Sequence, residues 1–191
     1  QDTLSEKPVL TLLSQALTLA SGEEQKSQAT SVLKNPKLWG PIPHQTPHRY
    51  AVVTSVIQNG KTLDQYTTPF GVRKLAFNPD TGVVVNGEHI SLQGVNQHHD
   101  LGALGAAFNL RAAQRQLNIL QEMGVNAIRI AHNPPAPELL TLTDKMGILV
   151  LNESFDSWYK KKTPLDFHLI FADWHEQDFR ALVRRDKNHP S

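Results

Sequence analysis

Gly94-Val95-Asn96-Gln97-His98-His99-Asp100 and its echo, Asn126-Ala127-Ile128-Arg129-Ile130-Ala131-His132-Asn133-Pro134, decide the fold. In each, a short apolar run gives way at once to side chains able to bind a ligand. Residues 90–95 lead into Asn96, His98, His99 and Asp100, and residues 125–130 lead into His132 and Asn133. A third run, Ile148-Leu149-Val150-Leu151, ends at Asn152 and Glu153. Apolar runs of this length fit buried strands. Strands separated by helices, each with polar residues just past its carboxyl end, predict the opening turns of an α/β barrel or of a doubly wound sheet. Both architectures bind ligands at that end of the strands. The pattern therefore locates a site before it gives the chemistry.

The intervening stretches have helical spacing. Asn109 is placed as an N-cap, and Leu110, Ala113, Leu117 and Leu120 recur on one face until Gly124 ends the helix. Pro137-Glu138 opens a second helix, where proline's missing amide has no intrahelical partner to lose, and Met146-Gly147 closes it. Residues 173–187 predict a third, with Trp174, Phe179, Leu182 and Val183 on its apolar side.

Upstream the period changes. The alternation over residues 50–57 meets the turn signal Gln58-Asn59-Gly60-Lys61 and returns along residues 62–67, a strong hairpin pattern. Residues 9–13 and 16–20 are apolar and fit strand or helix, with a polar turn at 22–27. Strands and turns over residues 1–77 predict a partial β-sandwich, and the proline-rich stretch 36–47 fits a loop crossing between strands. A second hairpin, turning at Asn78-Pro79-Asp80-Thr81-Gly82 and at Asn86-Gly87, spans 78–89 as the connection to a barrel part at 90–191.

Composition limits the partners. An apolar fraction of 39% supports a globular core, and a net charge of +1 with scattered Lys and Arg argues against nucleic acid or an acidic membrane surface. The longest basic run, Lys160-Lys161-Lys162, reads as a solvated loop. With no cysteine there is no disulfide, thiolate or Cys-based zinc chemistry. No apolar run reaches the ~20 residues of a membrane span. Gln1 is not an initiator methionine, so either a leader is removed or the sequence is a piece of a longer chain. Three βα units also fill only part of a barrel of roughly 250 residues, and the front falls short of the ~100 of a full sandwich. Both ends are thus expected to be cut.

The order of motifs closely resembles glycoside hydrolase family 2, the β-galactosidase and β-glucuronidase group. The matching words are Asn35-Pro36-Lys37-Leu38-Trp39, Thr68-Pro69-Phe70-Gly71-Val72-Arg73, the two stretches quoted first, Asp144-Lys145-Met146-Gly147, and Arg184-Arg185-Asp186-Lys187-Asn188-His189-Pro190-Ser191. The resemblance implies an immunoglobulin-like β-sandwich followed by the first three βα units of a (β/α)8 TIM barrel, and retaining hydrolysis of a terminal β-linked sugar. β-Galactosidase is favoured over β-glucuronidase.

Such chemistry needs two carboxylates about 5 Å apart, a nucleophile and an acid/base. In the family these glutamates end the seventh and fourth strands, beyond Ser191. The resemblance therefore implies no catalytic carboxylate in these 191 residues, and no turnover by them alone. It implies that His98 and His132 line the sugar subsite, with Asp100 and Asn133 beside them as looser matches. Arg129 matches the arginine that supports the nucleophile. Asn96, Glu153 and Trp158 form the surrounding row, Glu153 equally readable as a structural partner of Arg129.

Two departures from the family are evident. The usual Asp-Glu pair is Asn152-Glu153, and Ser157 and Tyr159 stand where some members bind Mg²⁺, so neither a metal nor another cofactor is expected. By residue type alone His98, His99, Asp100 and His132 also fit a metal-dependent hydrolase. The non-enzyme reading is a carbohydrate-binding module. His175 and His189 read as surface or structural residues, and Trp174 as helix packing. The expected partner is a β-glycoside, with a homo-oligomer compatible with the full-length enzyme. The bacterial cytoplasm, periplasm and exterior all remain open.

Overall fold

The computed structural model describes residues 7–191, and the chain falls into two units, residues 1–37 and residues 38–191. The first unit has no strand or helix among its described residues. It turns at Gly22 (φ 79°), where Glu23 N–H donates to Ala20 O (3.1 Å) and Ala20 N–H to Glu23 Oε2 (2.9 Å). Residues 9–13 and 16–20 are therefore neither strand nor helix, which corrects the expectation above; its part on residues 1–6 lies outside the described residues. The reason is physical: strand propensity is largely packing against a neighbouring strand. Val9 and Leu13 are 71% and 89% exposed, with no such neighbour among the described residues.

In the second unit, Trp39 bridges Pro47 within the proline-rich loop. Strands β1 (Tyr50–Gln58) and β2 (Lys61–Phe70) then form an antiparallel pair in which Tyr50 faces Phe70. Asn59 and Gly60 have φ of 52° and 75°, the two positive values that a tight hairpin turn with the right twist requires. A meander follows: β3 (Leu75–Asn78), β4 (Gly82–Val85) and β5 (Glu88–His89), hydrogen-bonded in that order.

Three parallel strands follow, β6 (Gly94–His98), β7 (Ala127–Ala131) and β8 (Leu149–Asn152), lying side by side in sequence order. Helix α1 (Leu110–Glu122) connects the first two and α2 (Pro137–Met146) the second two; α3 (His168–Asp186) comes after β8. Asn109 caps α1 by accepting the Ala112 N–H (3.0 Å). Gly147 ends α2 at φ 66°, in close contact with Ile42, where any Cβ would collide.

The first apolar run does not become a strand where it is most apolar. β6 begins at Gly94, and the residues before it are held by Asn126: its Oδ1 accepts from Gln93 N (2.9 Å), its Nδ2 donates to Ser91 O (2.8 Å) and its backbone N–H donates to Gln93 O (3.0 Å). Ile90 packs into a separate cluster with Trp39, Val85 and Leu149. The helix-facing core is built from Ala113, Leu117, Ile128, Ile130, Leu142 and Ile148. Helix α3 also differs from expectation. It starts at His168, and its buried residues are Phe171 and Leu182, while Trp174, Phe179 and Val183 are about half exposed.

Asn126 is 3% exposed and satisfies two backbone groups. Asn126→Ala should lower stability by about 1–3 kcal/mol, read from the urea-unfolding midpoint. Asn126→Asp should cost more, because a carboxylate cannot donate to Ser91 O. Equal midpoints for wild type and both variants would remove Asn126 from this role.

Candidate functional site

Parallel pairing sets Asn96 beside Arg129 and Arg129 beside Leu151 in one row. That row lies on the sheet face opposite Ile128 and Ile130, since successive side chains alternate. Arg129 Nη1 donates to Asn96 Oδ1 (3.3 Å) and Nη2 to Glu153 Oε1 (2.7 Å), a residue just beyond β8. His98 ends β6, and His132 follows β7 across a cis Ala131–His132 peptide. Their rings meet edge to face with centroids 5.4 Å apart. His132 Nδ1 lies 3.4 Å from Arg129 Nη2, 3.4 Å from Glu153 Oε2 and 3.7 Å from Asp156 Oδ1.

His132 and Glu153 touch at this distance without forming a hydrogen bond. Glu153 Oε2 is accordingly one of the buried polar atoms without a hydrogen-bond partner among the described residues; the others are Asn152 Oδ1 and Ser157 Oγ. All three lie at or just past the carboxyl end of β8. Buried polar groups are nearly always satisfied, so these three atoms concentrate unused hydrogen-bonding capacity at one strand end.

The loop after β8 is firmly organised. Asp166 accepts from the N–H groups of Thr163 (2.7 Å), His168 (2.9 Å) and Lys162 (2.7 Å), and from His168 Nδ1 (2.6 Å). These bonds, that of Thr163 foremost, hold its carboxyl far below the usual carboxylate range. The His168 amide bond also explains the early start of α3. Lys162 Nζ pairs with Asp156 Oδ1 at 2.6 Å and pulls that carboxyl below its usual value. Trp158 stacks on Phe171 (5.7 Å) and Phe155 on Phe167 (5.0 Å).

Asn96, His98, Arg129, His132 and Glu153 thus come together as one cluster. Asp100 plays a different part: its Oδ1 accepts from Gly102 N (2.8 Å), and it lines a cavity of about 70 Å³ with Gln97, His98, His99 and Phe108. Asn133 contributes its carbonyl, which accepts from His99 Nε2 (3.2 Å). Trp158 packs one ring face on Phe171 and remains largely exposed. Among the described residues no group of three or more His, Asp or Glu side chains is arranged to hold a metal ion, so the four-residue metal reading has no geometric support there.

Sequence reasoning missed Asp156, Lys162 and Asp166. The available signal was a carboxylate shortly after Glu153 followed by a basic run, yet that run was read as solvated throughout; Lys162 is half exposed but paired. His175 and His189 are held internally: His175 Nδ1 donates to Phe171 O (2.7 Å) and His189 Nδ1 to Asp144 Oδ2 (2.6 Å). Asn152 Nδ2 donates to Asp186 Oδ2 (2.7 Å), which Arg185 also holds at 2.8 Å. A carboxylate at position 152 in this arrangement would face Asp186 with no proton to donate.

Comparison with known proteins agrees with this architecture. The profile "Glycosyl hydrolases family 2, TIM barrel domain" matches residues 79–191, and "Glycosyl hydrolases family 2" matches residues 4–73. Beta-galactosidase BoGH2A of Bacteroides ovatus is 46% identical over 181 residues, covering 92% of this chain and 21% of that protein. A beta-glucuronidase of Bacteroides fragilis is 33% identical over 181 residues, covering 93% of this chain and 26% of that one. Among solved structures, a beta-glycosidase from Bacteroides vulgatus superposes with a TM-score of 0.77 at 38% identity, over 86% of this chain and 20% of its own. The chain belongs to glycoside hydrolase family 2, joining that family's sandwich to the start of its TIM barrel domain. It spans about a fifth to a quarter of the length of these relatives.

Asp166 is held ionised in the folded loop, so its folded pKa lies below its unfolded one. Its contribution is complete above the ordinary carboxylate value of ~3.9 and is lost only as pH falls through the lowered value. The Lys162, Thr163 and His168 amides should therefore stay protected from hydrogen exchange from neutral pH down to about pH 4. Asp166→Ala should lose that protection over the whole range; retained protection would show that the loop is ordered by other contacts.

Proposed function

We propose that the chain is part of a retaining exo-β-glycosidase that releases a terminal β-linked sugar, and that it supplies the half of the site that grips the sugar. The observation that carries this reading is the meeting of His98, His132, Arg129 and Glu153 at the carboxyl ends of three parallel strands. Ligands bind at that end in barrels of this kind. Imidazole rings donate or accept hydrogen bonds to hydroxyls, and the guanidinium fork of Arg129 is suited to orient a carboxylate.

In the retaining mechanism one carboxylate attacks the anomeric carbon while an acid protonates the leaving oxygen, and water then releases the sugar. Both catalytic carboxylates are assigned to segments of the polypeptide outside this sequence, so the 191 residues alone are expected to give no turnover. His98 and His132 bind the sugar's hydroxyls, with Asp100 and Asn133 placed near them. Arg129 fixes the nucleophile's carboxylate, with Asn96 and Glu153 fixing Arg129 in turn. Trp158 borders the opening. The boundaries follow the same reading: sandwich at 1–77, connection at 78–89 and barrel at 90–191.

A galactoside is favoured as substrate, because the relative at 46% identity is named a beta-galactosidase. A glucuronide is the second reading, favoured by the glucuronidases at 38% and 33%.

Aryl β-galactoside and aryl β-glucuronide hydrolysis by the full-length polypeptide separates the two. His98→Ala and His132→Ala should each lower kcat/KM by about 100-fold or more, with unchanged unfolding behaviour. Unchanged kinetics would falsify those roles, and sugar binding without turnover by the full-length polypeptide would favour a binding module.

A further inference from the structure

We propose that Asp156, held in place by Lys162, is a specificity-determining residue that accepts a hydrogen bond from a hydroxyl of the bound sugar beside His132. The inference rests on the glycosidase reading and adds a residue that neither the motifs nor the comparisons point to. Asp156 lies on the loop after β8, at the carboxyl end of the sheet, with Oδ1 3.7 Å from His132 Nδ1. Two carboxylates, Glu153 and Asp156, therefore converge on one ring nitrogen. They are not equivalent. Glu153 is committed to Arg129 at 2.7 Å, with its other oxygen buried. Asp156 is half exposed, and among the described residues only its Oδ1 takes a hydrogen bond, from Lys162. Its Oδ2 is open to an incoming donor.

The donor that fits is a hydroxyl. An ionised carboxylate only accepts, and a sugar ring presents O–H donors along its edge. The surroundings favour that form: the Lys162 hydrogen bond foremost, then its charge and that of His132, draw the proton affinity of Asp156 down, against desolvation and the weaker effect of Asp166. Placement is secured as well. Lys162 donates its backbone N–H to Asp166 Oδ2 at 2.7 Å, so the lysine that orients Asp156 is itself tied to the start of α3. A carboxylate fixed before the substrate arrives loses less freedom on binding than a mobile one. A half-exposed ion pair of this kind adds little to stability.

The test uses the full-length polypeptide and aryl β-glycosides of the sugar that it cleaves, together with the 2-, 3-, 4- and 6-monodeoxy analogues. Asp156→Ala should lower kcat/KM on the parent glycoside by roughly 10-fold or more, and should cause little further loss on one of the analogues. That failure of the two losses to add identifies the hydroxyl that Asp156 holds. Asp156→Asn should keep part of the activity, since an amide oxygen still accepts. Lys162→Met should give an intermediate loss that deepens towards acid pH, because Asp156 then takes up a proton more readily. An equal loss on every analogue would overturn the proposal, as would unchanged kinetics in Asp156→Ala. A wild type that cleaves no β-glycoside would instead defeat the glycosidase reading on which the proposal rests.

Discussion

A buried carboxylate in the last turn of α2 ties the second unit together. Asp144 is 4% exposed, and its two oxygens accept from Ser191 N (3.0 Å) and His189 Nδ1 (2.6 Å), while its own carbonyl accepts the indole N–H of Trp39 (2.8 Å). Arg73 contributes charge to the same place; burial lowers its proton affinity and Asp144 opposes that. One residue thus joins the loop before β1, the segment after β2, helix α2 and the stretch after α3. A buried charge is tolerable only with this many partners. Gly71 shows how tightly they meet, for a Cβ there would collide with Pro190.

The same anchoring prepares the sheet edge at β8. Ser191 O accepts from Val150 N (2.8 Å), and the Ser191 hydroxyl donates to Thr143 Oγ1 (2.9 Å), whose own proton goes to Leu140 O. One backbone bond thus joins Ser191 to β8. The core on the other side of the sheet has a simple origin. Ile128 and Ile130 face α1 and α2, so the alternate positions, Arg129 above all, must face the opposite way. The chemistry of the site follows from the parity of β7.

Electrostatics on that polar face is arranged as pairs, Arg129 with Glu153 and Lys162 with Asp156, the two carboxylates both reaching His132 Nδ1. These pairs are partly solvated, so they contribute more to the orientation of side chains than to the stability of the fold. Orientation is what the proposed sugar-binding role requires, because hydroxyl recognition depends on acceptors and donors fixed in advance.

Local rules were enough for the elements whose causes are local. Asn59-Gly60 set its hairpin, Asn109 capped α1, Gly147 closed α2, and the three apolar runs marked parallel strands with polar ends. Hence His98, His132 and Glu153 were legible as strand-end residues, while Arg129 was singled out by the family resemblance. The rest depended on partners distant in sequence. Residues 9–13 and 16–20 are apolar yet form no strand, since no propensity makes a strand without a neighbour and none stands beside them among the described residues. The stretch before β6 is held by Asn126, far along the chain, and the start of α3 by the side chain of Asp166. Lys162 read as one of three solvated cations until the fold brought Asp156 within 2.6 Å of it. Sequence determined periodicity, turn chemistry and the side of the sheet on which the polar residues fall. Tertiary structure alone decided which of them meet, because hydrogen bonds and ion pairs are fixed by distance in space and not by separation along the chain.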